Sequence, residues 1–247
     1  PELKGLRANL YKCFLPRAWA MTSDRGVASF LHEEGVFTDP KGGALRALLY
    51  PRLRRLYQFQ NELGLFEGTN DHGRMRFVLC VYAEARRPVL FESISNLFSP
   101  ATINLSYASN GAGQIPGVKR IERSGEVLSA SWDTKGHCDR VLRIGEKELA
   151  LFAVLYDKPG TAAVCARLPS IHARQLLLVL EKYAAHPRRL NDLQGGYMSF
   201  DMWNETLQQD DGTIRPEIRF PKSAEDWILS GPHIFVGAPM QKTPRRT

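Results

Sequence analysis

Three adjacent residues, His137, Cys138 and Asp139, carry side chains of the kinds that bind transition metals. Their segment is predicted to be a strand, in which neighbouring side chains point to opposite faces of a sheet. The three side chains are therefore not expected to share one ion, and no metal site is predicted. Glu146-Lys147-Glu148 lacks the spacer of the E-x-K nuclease pattern. No complete nucleotide-loop, serine-hydrolase or zinc-protease signature is present, so the chain offers no catalytic residues of its own.

Basic charge is the second feature that could have a chemical partner. The 247 residues include 33 Lys and Arg and 26 Asp and Glu, which gives a formal net charge of +7. This balance fits a nucleic-acid partner, although many basic proteins bind none. Solvated surface is an equally good interpretation of the small basic clusters. With double-stranded DNA as the partner, the predicted phosphate contacts are Lys119, Arg120, Arg188, Arg189, Lys242 and Arg245.

The composition is that of a globular protein, with 43% hydrophobic and 24% charged residues. No apolar run approaches the about 20 residues that cross a bilayer, so no membrane association is expected. The four cysteines are too far apart for a zinc ribbon or a disulfide framework, which predicts thiols in a reducing cytoplasm. The chain opens with Pro1-Glu2-Leu3-Lys4 and no initiator Met, so we expect it to be a piece of a longer protein.

Helices and strands are predicted to alternate over residues 1–92. Apolar residues at a spacing of three and four predict a helix from Leu3 to Met21, kinked or split at Pro16. Short apolar runs predict strands, and the last of them could run antiparallel after a short connection. This alternation is typical of an α/β sheet. The elements that follow the first helix are a strand at Val27–Leu31, a helix at Ala44–Tyr50, and strands at Leu53–Gln60 and Arg76–Ala83.

From residue 93 the composition changes, and a mixed α+β segment is predicted over residues 93–247. A stretch rich in Ser, Asn, Gly and Pro predicts an irregular connection. Ser170 is predicted to cap a helix whose inner side carries Leu176, Leu177, Val179 and Leu180. The remaining predictions are irregular structure at Ser99–Gly117, strands at Glu126–Trp132 and Asp139–Ile144, helix or strand at Glu146–Leu155, and helix from Ser170 to Tyr183.

A series of short motifs stands in a fixed order in the first segment. They are Asn9-Leu10-Tyr11-Lys12-Cys13-Phe14, the Gly26–Leu31 strand, Leu45-Arg46-Ala47-Leu48-Leu49, Phe59-Gln60-Asn61, Leu65-Phe66-Glu67-Gly68 and the Arg76–Val81 strand. This succession resembles the C-terminal half of the catalytic domain of adenine-N6 DNA methyltransferases. It is most similar to the large type IIG-like enzymes of bacterial restriction-modification or phage-defence systems. Phe91–Pro100, Met202–Glu205 and Leu229–His233 continue the similarity.

The resemblance implies a partial Rossmann-like methyltransferase sheet in residues 1–92, the distal half of a catalytic domain. Residues 93–247 would be an accessory segment associated with DNA recognition. In the family, the glycine-rich S-adenosylmethionine loop and the N-P-P-Y catalytic loop precede the N-L-Y-x-x-F helix. This chain contains neither motif. It is therefore expected to be inactive alone and to bind S-adenosylmethionine weakly, with the missing N-terminal half of the same enzyme as a further partner.

Two aromatic residues take roles from the resemblance. Phe14 corresponds to the aromatic residue that lies against the adenine ring of the cofactor, with a place in the helix core as the alternative. Phe66 corresponds to the residue that stacks on the flipped target adenine, and its flanking Gly64 and Gly68 favour an exposed loop over a core position. Asn61 and Asn70 could shape the same pocket. The alternative function is a non-catalytic DNA-binding or specificity module.

Overall fold

The structure, a computed structural model, describes residues 9–66, 75–124, 127–186, 188, 190–193, 196 and 204–214. Contacts divide the chain into two units, Pro1–Arg189 and Leu190–Thr247. None of the helices in these ranges is long and apolar enough to span a membrane. The helices are α1 (Leu10–Met21), α2 (Gly35–Thr38), α3 (Gly43–Leu49), α4 (Ala101–Ala108), α5 (Glu146–Tyr156), α6 (Gln175–Ala185) and, in the second unit, α7 (Glu205–Asp210). The strands are β1 (Ala28–Glu33), β2 (Leu53–Gln60), β3 (Arg76–Tyr82), β4 (Leu90–Leu97), β5 (Lys119–Ser124), β6 (Val127–Trp132) and β7 (Leu142–Gly145).

Five strands form a mixed sheet in the order β1–β3–β2–β4–β7. β3 lies between β1 and β2 and is antiparallel to both, whereas β2 and β4 are parallel. β7 is antiparallel to β4. The predicted combination of helices with a sheet is confirmed, as is the antiparallel direction of β3. Since β1, β2 and β4 point the same way, their carboxyl ends lie at one edge, which we call the carboxyl edge.

The main core lies on one face of this sheet. In β3, Val78, Cys80 and Tyr82 are buried while the residues between them are half-exposed, which is the alternation of a strand with one covered face. Helices α1, α3 and α5 contribute Leu15, Leu49 and Phe152 to the same cluster. A smaller cluster, separate from the main core, consists of Phe59, Ile94 and Leu97, and Ile103 of α4 packs against it. The sheet therefore positions both clusters.

The first unit keeps the predicted order of elements up to β3, with the short helix α2 added. α1 begins at Leu10, capped by Asn9, and not at the predicted Leu3. α1 continues through Pro16 without a break, and β1 extends to Glu33. The predicted division at residue 92 falls inside β4, which pairs with β2 on one side and β7 on the other. The sheet therefore does not divide there, because the hydrogen bonds of β4 join both parts. The boundary between the two compact units lies after Arg189.

The segment after β4 corrects several predictions. α4 occupies part of the stretch predicted to be irregular, because Ile103 packs on the smaller core cluster, a long-range contact that composition does not contain. β6 pairs with β5, not with the strand that ends at Gly145.

α6 starts at Gln175 instead of after Ser170. Its N-cap is Arg174, which makes no side-chain capping bond, so Ser170 does not cap this helix. Of its four inner residues, Leu177 and Leu180 pack on the core, whereas Leu176 and Val179 are exposed. The apolar face predicted for this helix was therefore wider than the face that packs on the core.

The segment for which the sequence left helix and strand open, Glu146–Leu155, is a helix, α5. In its first turn, Glu148 Oε2 accepts the N–H of Gly145 at 2.8 Å. Leu149, Phe152 and Ala153 are buried, and a spacing of three to four residues places them on one helical face.

Candidate functional site

The carboxyl edge is the candidate site, because ligands of α/β sheets bind outside the carboxyl ends of parallel strands. Phe66 lies here, in the connection that follows the end of β2 at Gln60. Its side chain is 42% exposed, as expected for a residue that stacks on a base and unlike a core phenylalanine. The stacking role itself stays a prediction.

Phe66 belongs to a series of three aromatic rings, which we call the aromatic ladder. Phe77, near the start of β3, packs edge-to-face with Phe66, with ring centroids 5.0 Å apart and planes at 67°. On β2, Phe59 stacks on Phe77 with centroids 5.1 Å apart and planes within 2°. Phe59 is buried, Phe77 half-buried and Phe66 exposed. The ladder therefore leads from the core to the solvent at the carboxyl edge.

The chain before Phe66 is shaped by Asn61. This side chain is buried, and its Oδ1 accepts the N–H of Leu65 at 2.7 Å. Gly64 has φ 64°, in the left-handed region that glycine adopts without strain. Asn61 and Gly64 together therefore direct the chain towards Phe66. Asn70, to which the sequence assigned a similar role, lies outside the described residues.

The N-terminus of α1 reaches the same edge. The Asn9 side chain caps α1 by accepting the N–H of Tyr11 at 3.4 Å, and its Nδ2 donates to Glu33 Oε2 at 3.3 Å. Glu33 ends β1 and is the register partner of Phe77. A short path of contacts therefore joins the start of α1 to the ring against which Phe66 packs.

Phe14 lies on the outward side of α1 and is 55% exposed, so the core alternative for this residue is wrong. The inner side of the helix carries Lys12 and Leu15, both buried, and Lys12 Nζ lies 3.3 Å from Asp39 Oδ2. Phe14 is thus available for a ligand on the outside of α1, and its contact with a cofactor stays a prediction.

Tyr11 and His32 form a stacked pair between α1 and β1, with ring centroids 4.8 Å apart. Burial raises the pKa of Tyr11 to about 12, and the carboxylates of Glu33 and Asp39 add to this shift. Burial lowers the pKa of His32. Both rings are therefore neutral at physiological pH, and the pair serves as packing that holds the start of α1 at the carboxyl edge.

Side-chain amides form hydrogen bonds between β2 and β4 at the carboxyl edge. The register shifts between Tyr57 and Phe59, so that β4 carries an extra residue there. Gln58 Oε1 accepts the N–H of Asn96 at 2.8 Å, and Gln60 Nε2 donates to Asn96 Oδ1 at 2.6 Å. Asn96 has φ 57°, uncommon for a residue with a Cβ atom. The two glutamines therefore fix the bulge that ends β4.

Arg140 stabilises this bulge through hydrogen bonds to backbone carbonyls. It is completely buried, and its guanidinium donates to the carbonyls of Ser95, Asn96 and Lys135 at 3.0 Å each. Burial lowers the pKa of Arg140 to about 10, while the charge of Asp133 acts in the opposite direction, so the group stays charged at neutral pH. Sequence reasoning missed Gln58, Asn96 and Arg140, because no local pattern marks contacts between such distant residues.

His137, Cys138 and Asp139 do converge, with ligand atoms within 4.8 Å of one another. They belong to a 3-10 turn instead of a strand, so the argument that their side chains diverge was wrong. His137 Nδ1 accepts the N–H of Asp139 at 3.1 Å. The Asp139 carboxylate accepts from Gln175 at 2.7 Å and lies 3.5 Å from Arg174. Nδ1 of His137 and the Asp139 carboxylate are thus engaged in protein contacts, whereas the buried Nε2 of His137 makes no hydrogen bond to a described residue. The absence of a metal site stays a prediction.

The structure describes three of the six residues predicted to contact phosphate. Lys119 and Arg120 are exposed on β5, and Lys119 Nζ lies 4.5 Å from the centroid of the Trp132 ring. Arg188 is exposed after α6. Arg189, Lys242 and Arg245 lie outside the described residues. Contact with DNA therefore stays a prediction at all six positions.

A scan against models of known protein families finds no match, and no curated protein matches this sequence. The function of the carboxyl edge must therefore be inferred from its residues and geometry.

Proposed function

We propose that this chain is the distal half of the catalytic domain of an adenine-N6 DNA methyltransferase, followed by a segment associated with DNA recognition. The reaction is transfer of a methyl group from S-adenosylmethionine to N6 of an adenine flipped out of the duplex. The observation that carries the proposal is the exposed Phe66 at the carboxyl edge, packed on Phe77, whose register partner Glu33 contacts Asn9 at the start of α1.

The strand directions support a partial Rossmann-like sheet. β1, β2 and β4 run the same way, as most strands of such a sheet do. β3 is antiparallel and lies between β1 and β2.

The position of α1 supports the proposal independently. In the family, the N-P-P-Y loop precedes the N-L-Y-x-x-F helix; residues 1–8 do not contain it, so in the intact enzyme it would lie before Pro1. Asn9, which caps this helix, contacts Glu33, the register partner of Phe77, and Phe77 contacts Phe66. The helix that follows the catalytic loop in the family is thus joined by contacts to the proposed base-stacking residue.

The residues of this chain would bind and orient the target adenine and the cofactor. The other half of the domain would supply the catalytic residues. A flipped base loses stacking worth a few kcal/mol, and the ring of Phe66 would restore part of it. The exposed ring of Phe14 fits the adenine face of S-adenosylmethionine. Since the glycine-rich loop is not in this chain, Phe14 forms one wall of that site, and weak binding of the cofactor is expected.

β1 is where the other half of the sheet would join. Over the ranges that the structure describes, β1 pairs with β3 alone, so its second edge presents backbone donors and acceptors to an added strand. A strand parallel to β1 would continue the sheet. The missing N-terminal half of the same enzyme is the partner that we propose for this edge.

In the enzyme that contains this chain, Phe66→Ala is expected to lower adenine methylation roughly 10- to 100-fold, which corresponds to one base–aromatic stack. The free energy of unfolding of the 247-residue chain should change by less than about 1 kcal/mol, because Phe66 is 42% exposed and is not among the buried residues of either core cluster. Transfer of a radiolabelled methyl group measures the first effect, and thermal denaturation measures the second. Leu63→Ala, in the same loop and 52% exposed, is the matched control.

A loss of about 3–5 kcal/mol of unfolding free energy in Phe66→Ala would identify a core residue and contradict the stacking role. Unchanged methylation in a well-folded variant would do the same.

Duplex DNA should bind the chain with an affinity that falls steeply between about 50 and 200 mM salt, because phosphate contacts release counterions. The double variant Lys119→Ala/Arg120→Ala should reduce the slope of log K against log[salt] by about 2. Fluorescence anisotropy with a labelled duplex measures this. The control variant is Lys41→Ala/Lys158→Ala, which removes two exposed lysines elsewhere in the chain.

Binding that does not depend on salt, or no binding at low salt, would contradict a DNA partner. Salt-dependent binding together with a silent Phe66→Ala variant would favour the alternative, a non-catalytic DNA-binding module.

A further inference from the structure

We propose that Phe77 is a positioning residue, which sets the orientation of the Phe66 ring before an unpaired base stacks on it. The inference rests on the proposed function of Phe66. It adds a role for a strand residue that the motifs of the sequence do not mark.

The first step of the argument is the rigidity of Phe77. Its backbone belongs to β3, where it pairs with Glu33 on one side and Phe59 on the other. Its ring is parallel to that of Phe59 within 2°, and Phe59 is only 4% exposed. Rotation of the Phe77 ring would break this stack, so Phe77 holds one orientation.

The second step is the transfer of that orientation to Phe66. Phe66 lies in a connection between strands and is exposed. The edge-to-face contact with Phe77, at 67° and 5.0 Å, favours one rotamer of its ring. A base that stacks on a preoriented ring loses less conformational entropy on binding. Phe77 would thus raise the affinity for a base without touching it.

The third step concerns the class of ligand. Leu63 and Met75, which flank the ladder in sequence, are exposed apolar side chains. The nearby Arg76 lies 3.5 Å from Glu34, so its charge is paired. Within the part of this connection that the structure describes, such a surface suits the flat face of a neutral, unpaired purine.

The test uses the 247-residue chain and a single-stranded oligothymidylate with one 2-aminopurine, a fluorescent adenine analogue that stacking quenches. The wild type should quench the probe, and Phe66→Ala should abolish quenching. Phe77→Leu should weaken binding of the base about three- to ten-fold, because it removes the ring that orients Phe66. Phe77→Tyr, which keeps the ring, should restore quenching.

Phe30→Leu is the matched control, since Phe30 is also half-buried and its strand also pairs with β3. Thermal denaturation checks that each variant is folded. Phe77→Ile, which lacks a ring and has high strand propensity, replaces Phe77→Leu if that variant does not fold.

The outcomes separate the two proposals. Loss of quenching in Phe66→Ala with wild-type quenching in Phe77→Leu would overturn the positioning role and leave the proposed function intact. Equal losses in Phe77→Leu and Phe77→Tyr, or in Phe77→Leu and Phe30→Leu, would also overturn it, because the effect would then not depend on the ring of Phe77. Absence of quenching by the wild type, or full quenching by Phe66→Ala, would contradict base stacking itself and remove both proposals.

Discussion

Arg140→Ala is expected to lower the free energy of unfolding by about 3–5 kcal/mol, or to prevent folding altogether. The Arg140 side chain is completely buried and donates to three carbonyls at 3.0 Å each. Alanine would remove the Arg140 donor from all three acceptors, and the bond to the Ser95 carbonyl is buried. Two of the carbonyls belong to Ser95 and Asn96, so the bulge at the end of β4 would lose its support. Urea denaturation followed by circular dichroism measures the change.

Arg143→Ala is the matched control, because Arg143 is an exposed arginine on β7, close in sequence. Its effect should stay within about 0.5 kcal/mol. Arg140→Lys should recover part of the loss, since it keeps the charge but lacks the planar fork of donors. If Arg140→Ala were as stable as Arg143→Ala, the three carbonyls would have other donors and the assigned role would be incorrect.

Phe152→Ala is expected to cost about 3–5 kcal/mol of unfolding free energy, because it leaves a cavity in the main core. Phe152 is completely buried and lies in the same cluster as residues of the sheet. The midpoint of chemical denaturation should fall with an unchanged slope, since the unfolded chain exposes nearly the same surface.

Val154→Ala is the control, and it also tests the conformation of α5. Residues 152 and 154 would share a face if the segment were a strand, whereas a helix places them about 200° apart. Val154 is 60% exposed, so its truncation should change stability by less than about 0.5 kcal/mol. Comparable losses in the two variants would contradict the helix.

Local patterns explain which elements were predictable. β2 and β3 were found because their apolar residues alternate or run together between clear turn signals. Glu146–Leu155 stayed ambiguous, since a short apolar run suits a buried helix or a buried strand equally well. The decision came from Glu148 closing the first turn and from the core that receives Phe152. Both are contacts of the folded chain, and the apolar pattern of the segment alone does not reveal them.

At the candidate site too, features that are local in sequence could be predicted, whereas contacts between distant residues could not. Phe66 was identified from the resemblance to the methyltransferase family, and Gly64 and Gly68 favoured an exposed loop for it; its exposure agrees with the second of these inferences. Phe77, Asn96 and Arg140 were missed, because their roles depend on contacts across the sheet. The error at His137–Asp139 has a related cause: a turn was taken for a strand, and the side-chain directions followed from that choice.

The insertion of β3 between β1 and β2 has a consequence for the order in which the chain folds. Ala28 pairs with Tyr82, so the edge of β1 that faces β3 stays unpaired until β3 has been synthesised. β2 and β3 are closer along the chain, and pairing across a shorter loop costs less entropy. We expect β2 and β3 to pair first and β1 to add to the outer side of β3 afterwards. α1, which packs on β1, would then be synthesised before β2 and β3 but reach its place after they have paired.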